Sequence, residues 1–230
     1  MAEFGDATHD FDVTADGGYL FADINGFSNC AMKIVERTAD GQRHDVFNLS
    51  DAYPATDCLV NAMHYWPADD SITISDLPND AIIKLTRSGE VEWILNGDHS
   101  TFTQGDAPKW IGGEHGHHFV APDRVLVFNN GTNPYTGERD AGSTSMVYEI
   151  QIDPATKTAN KIWEYDGGLR STVFGDVQRL PNGNTLVNYG TANAIHEVDP
   201  EGNLVQSLGT AGISPPYVDW RSSLYGPPDR

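Results

Sequence analysis

The chain repeats one plan four times, and that repetition leaves few folds open to it. In residues 176–208 the runs DVQRLP, TLVNYG, AIHEVDP and LVQSL are separated by NGN, TAN and EGN. Short apolar, β-branched runs between Asn, Gly, Pro and Asp turns read as four antiparallel strands joined by three tight turns. The same plan recurs as THDFDVTA to NL (8–49), VNAMHYWP to NG within 57–97, and HHFVAP to EYDG within 115–166. The first hairpin turns, centred on Gly17, Asp70, Asp123 and Gly183, lie 53, 53 and 60 residues apart. Four-stranded units at this period are the blades of a β-propeller, so the expected fold is all-β, one propeller domain over residues 1–230 with a tail at 209–230. No window carries the apolar spacing of a long amphipathic helix.

In a propeller the first strand of each blade lines the central channel, so the strand starts carry the chemistry. Here they read Thr8-His9-Asp10, Leu59-Val60-Asn61, His115-Gly116-His117-His118 and Phe174-Gly175-Asp176. Histidine, Asp and Asn recurring at equivalent starts point to a polar site on the axis. The competing reading is that these side chains merely hydrogen-bond neighbouring blades.

Charge narrows the partners. With 14 Lys+Arg against 33 Asp+Glu the net charge is −19 and the pI near 4.5, which opposes binding to nucleic acid or anionic lipid. Mean hydropathy is −0.42, and no apolar run reaches the roughly 20 residues of a membrane span. Met1 to Asp10 shows neither the basic nor the apolar region of a signal peptide. Among the acids Asp outnumbers Glu, 23 to 10, as in a halophilic host or in a turn-rich secreted protein. Cys30 and Cys58, 28 residues apart, form neither a disulfide framework nor a zinc pattern.

The blade text itself resembles a known family. FGDVQRLPNGNTLVNYG with AIHEVDPEGNLV, HHFVAPDRVLVFNNG, NAMHYWPADDSITISDL with IIKLTRSGEVEWILNG, and the ending VDWRSSLYGPP are similar to the blade repeats of the bacterial arylsulfotransferases, which use no PAPS. The resemblance implies a six-bladed, periplasmic or extracellular propeller. In it a channel histidine takes the sulfuryl group of an aryl sulfate as sulfohistidine and passes it to a phenol, two easier steps in place of one. It implies no cofactor and, as partners, small aromatic sulfates and phenols. His117 falls at the reactive histidine, with His118 able to take that role; His9 matches a second channel histidine, and Asn61 the Asn of a His-x-Asn element. Asp10, Asp176 and His115 complete the expected substrate-binding set.

Several family positions have changed. Leu59 stands where the His-x-Asn histidine belongs, Ser75-Asp76-Leu77 replaces Ser-x-Arg, and Gly175 fills the last blade's histidine slot. A sulfuryl site without its guanidinium loses a well-aimed donor of the kind worth about 2.7 to 4 kcal/mol. Arg170, Arg179 and Arg221 lie near blade ends, where spacing alone cannot bring them to the channel. Either the chemistry differs or the propeller is a degenerate binding or assembly module. Six blades at this period need about 300 residues, which leaves a closed four-bladed ring, a fragment, or completion between chains as a homo-oligomer. The tail, with Tyr217, Trp220 and Leu224, is apolar enough to pack across a blade or a neighbour.

Two metal readings remain. On a regular strand His115 and His117 share a face and, with His9, can hold zinc in a metal-dependent hydrolase or lyase. Ala68-Asp69-Asp70-Ser71 and Asp16-Gly17-Gly18 can bind calcium, but lack its ligand ladder and read as hairpin turns. Trp93 and Trp163 are expected between blades, and Trp66 and Trp110 near loop boundaries.

Overall fold

Each hairpin turn forms where the sequence places its Gly, Asn or Asp. Thr14 N–H bonds the Gly18 carbonyl and Leu180 N–H that of Asn184, closing equivalent first turns in the first and last repeats. Gly17 and Gly183 sit at φ +85° and +90°, conformations glycine adopts without a Cβ penalty. Asp70 adopts φ +55° in the second repeat, as short polar residues do in tight turns. Asp69 takes a bond from the Ser71 hydroxyl at 2.5 Å and an ion pair from Lys84 at 2.6 Å.

The computed structural model describes residues 7–23, 25, 28–105, 112–131 and 144–220. Trp110, Arg221 and Leu224 lie outside them. Four antiparallel sheets follow the chain: β1 (Ala7–Val13), β2 (Tyr19–Asp23), β3 (Lys33–Arg37) and β4 (Arg43–Asn48); then β5 (Val60–Trp66), β6 (Ser71–Asp76), β7 (Ala81–Thr86) and β8 (Val91–Leu95). After β9 (Gln104–Gly105) come β10 (Glu114–Ala121), β11 (Arg124–Asn129), β12 (Met146–Asp153) and β13 (Thr158–Asp166), and last β14 (Asp176–Arg179), β15 (Thr185–Tyr189), β16 (Ala194–Val198) and β17 (Leu204–Gly209). The two-residue β9 adds parallel to the outer edge of β13 and was not expected from the repeat. Each sheet is an up-and-down meander, and the inner strands pack in chain order, β1 on β5, β5 on β10, β10 on β14. This is propeller architecture.

Three apolar layers hold successive blades together. Leu20, Ala22 and Ile34 meet Tyr65, Ile72 and Ile74 in the first; Ile82, Trp93 and Leu95 meet Val125, Val127 and Ile150 in the second; Leu126, Phe128 and Val147 meet Val177, Val187 and Tyr189 in the third. A blade covered on both sides needs apolar residues on both strand faces, which is why AIIKL of β7 is buried throughout. Each fully buried Leu, Ile or Val contributes about 1.5 to 3 kcal/mol. Trp93 is core as expected, and Trp163 lies at the third layer with its indole N–H on the Pro200 carbonyl. Cys30 and Cys58 form a buried disulfide tying the β2–β3 loop to the entry of β5. The sequence alone left that pair undecided.

Candidate functional site

The site grows out of one irregularity in β10. The register against β11 shifts between His115 and His117, with Gly116 at φ +30°. A bulge of this kind inserts a residue and re-aims the side chains that follow. His115 and His117 therefore leave the strand on opposite sides. The His115 Nδ1–H donates to Asn130 Oδ1 at 2.8 Å, and the ring packs edge-on to Phe174, toward the last blade. The His117 Nε2 pairs with the Thr73 hydroxyl at 2.9 Å in the second blade. The zinc reading that joined these two on one face fails for this reason.

His117 is a core residue. It is 2 % exposed, and its Nδ1 is buried without a hydrogen-bond partner. Burial, with a smaller contribution from His118, pushes its pKa down to about 3. It is neutral and enclosed, at the position where the resemblance implies the reactive histidine.

His118 occupies the axis instead. Its Nε2–H donates to Asp176 Oδ1 at 3.1 Å, and its side chain is 28 % exposed. Gly116 makes the approach of Asp176 feasible, because a Cβ there would lie 2.3 Å from that oxygen and 2.7 Å from the Asp176 Cα. The His64 ring stands edge-on to His118 at 5.0 Å, with its Nδ1 3.7 Å from Asp12 Oδ2. Burial pulls the His118 pKa down, but the bond to Asp176, its charge, and the charges of Asp10 and Asp12 outweigh that and leave it raised. Asp10 is pushed up to about 6, first by burial and then by Asp176 and Asp12, against bonds from the Met63 and Phe11 amides.

The remaining expected residues divide between site and scaffold. Asp10 faces the axis and also accepts the Met63 amide, so site and blade-binding readings both apply to it. His9 is exposed on β1, its pKa lowered by burial. Asn61 is fully buried, donating to the Glu114 carbonyl at 2.5 Å and accepting from the Ser75 hydroxyl at 2.7 Å; it clamps two blades. Asp76, the middle residue of the Ser75-Asp76-Leu77 run whose last position is the family's arginine slot, takes the Tyr53 hydroxyl, the Leu59 amide and the Asn79 amide group. No side chain can follow Gly175, since a Cβ would lie 2.2 Å from the Phe128 ring. Arg179 is held by Glu149 at 2.5 Å, stacked over Trp163 in the neighbouring blade. Among the described residues the group of three possible ligand atoms within 4.8 Å is Cys30, Cys58 and Asp76, and its two sulfurs are bonded to each other.

Strand starts alone did not reveal Asp12, His64 or Tyr217. Asp12 sits one strand-period beyond Asp10, His64 three residues beyond Asn61, and the Tyr217 hydroxyl reaches the Asn61 carbonyl from the tail. The signal for Asp12 was present, in the alternation of Asp10 and Asp12 in THDFD.

Comparison with solved structures places this fold among propellers. A streptogramin B lyase matches with TM-score 0.58 at 15 % identity, covering 90 % of this chain and 57 % of that one. Virginiamycin B lyase from Staphylococcus aureus gives 0.54 at 12 %, covering 89 % and 56 %. The WD40 propeller domain of Doa1 gives 0.53 at 13 %, covering 86 % and 52 %. The chain thus spans less than two thirds of the length of these structures, and at such identities the likeness is one of fold. No curated protein matches the sequence. The family model for Arylsulfotransferase (ASST) matches residues 58–211, from the disulfide before β5 to the turn after β17. Two thirds of the sequence, including β10 and β14 with the His118–Asp176 pair, is thereby accounted for, and the chain belongs to the arylsulfotransferase (ASST) family.

Proposed function

We propose that this propeller transfers a sulfuryl group from an aryl sulfate to a phenolic acceptor, with His118 as the nucleophile. The observation that carries the reading is the His118–Asp176 pair: a partly exposed imidazole whose Nε2–H is fixed by a carboxylate. That bond sets the tautomer and leaves Nδ1 with its lone pair, for which the described residues offer no partner. In the first half-reaction Nδ1 attacks sulfur, the sulfur–aryl oxygen bond breaks, and the aryl oxide leaves to be protonated. In the second, a phenol gives up its proton, its oxygen attacks the same sulfur, and the N–S bond breaks to restore the imidazole. A protonated His118 can first bind the anionic ester, supplying at the axis the positive charge that the absent Ser-x-Arg arginine supplies in the family, and then loses its Nδ1 proton to solvent before it attacks. The buried disulfide supports an oxidising, extracellular or periplasmic setting. Among the described residues no helix is long and apolar enough to cross a membrane.

The test is nitrophenol release from 4-nitrophenyl sulfate with a phenol acceptor. Because the nucleophile is the neutral imidazole, the rate should rise with pH through the raised pKa of His118. In Asp176→Asn that rise should move to lower pH, since the charge that raises the pKa is gone. His118→Ala should lose at least about 10²-fold in turnover, while a folded His117→Ala keeps it. Loss confined to His117→Ala would overturn the assignment. A second reading, a propeller that binds without turnover, is favoured by the three carboxylates Asp10, Asp12 and Asp176 around one imidazole. No release and no adduct from folded protein would select it.

A further inference from the structure

The blades are joined at the axis by a repeated device. Asp10 Oδ2 accepts the Met63 amide at 3.0 Å and Asp12 Oδ2 accepts the Tyr65 amide at 2.7 Å. Two side chains one strand-period apart on an inner strand thus hold two amides, one period apart, of the next inner strand. An inner strand has a sheet partner on one side only, so alternate N–H groups need another acceptor.

The last sheet carries the same device. Asp176 and Gln178 stand four and two residues before Leu180, which closes its hairpin as Thr14 closes that of Asp10 and Asp12. Asp176 Oδ2 accepts the Val218 amide at 3.1 Å, and Gln178 Oε1 accepts the Trp220 amide at 2.9 Å. The approach is fixed by Asn188, whose side-chain amide donates to the Pro215 carbonyl at 2.8 Å. From this seat the Tyr217 hydroxyl crosses the axis to the Asn61 carbonyl in the second blade. Burial, then Asp10 and Asp176, raise its pKa. Asp176 therefore holds His118 with one oxygen and the seated segment with the other.

We propose that Pro215–Trp220 is docked on the fourth blade in the place an inner strand of a further blade takes, and that this docking makes Tyr217 a ligand-contacting residue of the axial site. The segment is thus part of the propeller's channel wall, with Val218 and Trp220 in the positions of Met63 and Tyr65. The ligand half of the proposal rests on the sulfuryl-transfer reading; the docking half does not.

Amide hydrogen exchange tests the docking. The Val218 and Trp220 amides should exchange on the order of tenfold or more slowly than free chain, as should those of Met63 and Tyr65. Asp176→Ser with Gln178→Ala should release the first pair and leave the second protected. Free-chain exchange at Val218 and Trp220 in the unaltered protein, with Met63 and Tyr65 protected, would overturn it. For the ligand half, Tyr217→Ala, which takes the ring out of the channel wall, should weaken calorimetric binding of 4-nitrophenyl sulfate by about 3- to 10-fold, the worth of one aromatic contact. Unchanged affinity would remove Tyr217 from the site. Binding by neither protein, with both amides protected, would count against the aryl sulfate reading while the docking stands.

Discussion

At the scale of single residues, one glycine decides which histidine reaches the axis. The sequence places three histidines within four positions of β10, and strand alternation alone makes His115 and His117 partners. The bulge at Gly116 breaks that alternation, sending His117 into a buried contact with Thr73 and leaving His118 on Asp176. Period-2 reasoning could not anticipate it, because a bulge depends on what must approach the strand, here the backbone and carboxylate of Asp176. The residue types of the site were readable in the sequence; their directions were not. Asp10 gives a titration test. The fold raises its pKa from 3.8 to about 6, so the folded state binds the proton more tightly than the unfolded chain. Stability contributed by the protonated form is present at low pH and declines as pH rises between those values. Asp10→Asn should flatten this slope in urea titrations taken from pH 4 to pH 7. An unaltered slope would remove Asp10 as its source.

At the scale of elements, turn chemistry and the recurrence of short apolar, β-branched runs were sufficient to place the strands of all four meanders, because each turn is local, even though the last strand, β17, is exposed along its length. The two-residue β9 was missed, since its pairing with β13 is long-range and carries no apolar pattern. Gly175 shows how blade packing limits the site. Its φ of +146° and the Phe128 ring 2.2 Å from any Cβ leave no room for the histidine found at this slot in the family. Gly175→Ala adds overpacking to backbone strain and should cost about 2 to 5 kcal/mol in denaturant unfolding. An alanine variant as stable as the parent would mean that the Phe128 contact is not a constraint, and the missing histidine would then need another cause.

At the scale of the whole molecule, acidity shapes the chemistry. A net charge of −19 would surround the proposed aryl sulfate, itself an anion. The described salt bridges hold Arg43 on Asp23, Arg87 on Glu36, and Arg124 and Arg179 on Glu149, away from the axis. In the proposed mechanism the positive charge at the axis is that of His118 before it gives up its Nδ1 proton to attack. Long-range repulsion of the donor should be screened as ionic strength rises from about 0.01 to 0.15 M, where the Debye length shrinks from about 30 to 8 Å. Hence kcat/KM for 4-nitrophenyl sulfate should increase with salt; a decrease would reveal a net attractive field at the channel. The central claim, that His118 is the group that carries the sulfuryl, is tested most directly by trapping. Folded protein is mixed with 4-nitrophenyl sulfate without acceptor, quenched in alkali to preserve the N–S bond, and mapped by peptide mass spectrometry. The account predicts one sulfuryl group on His118, removed when a phenol is added before the quench. An adduct on His117, or nitrophenol release with His118 unmodified, would contradict it.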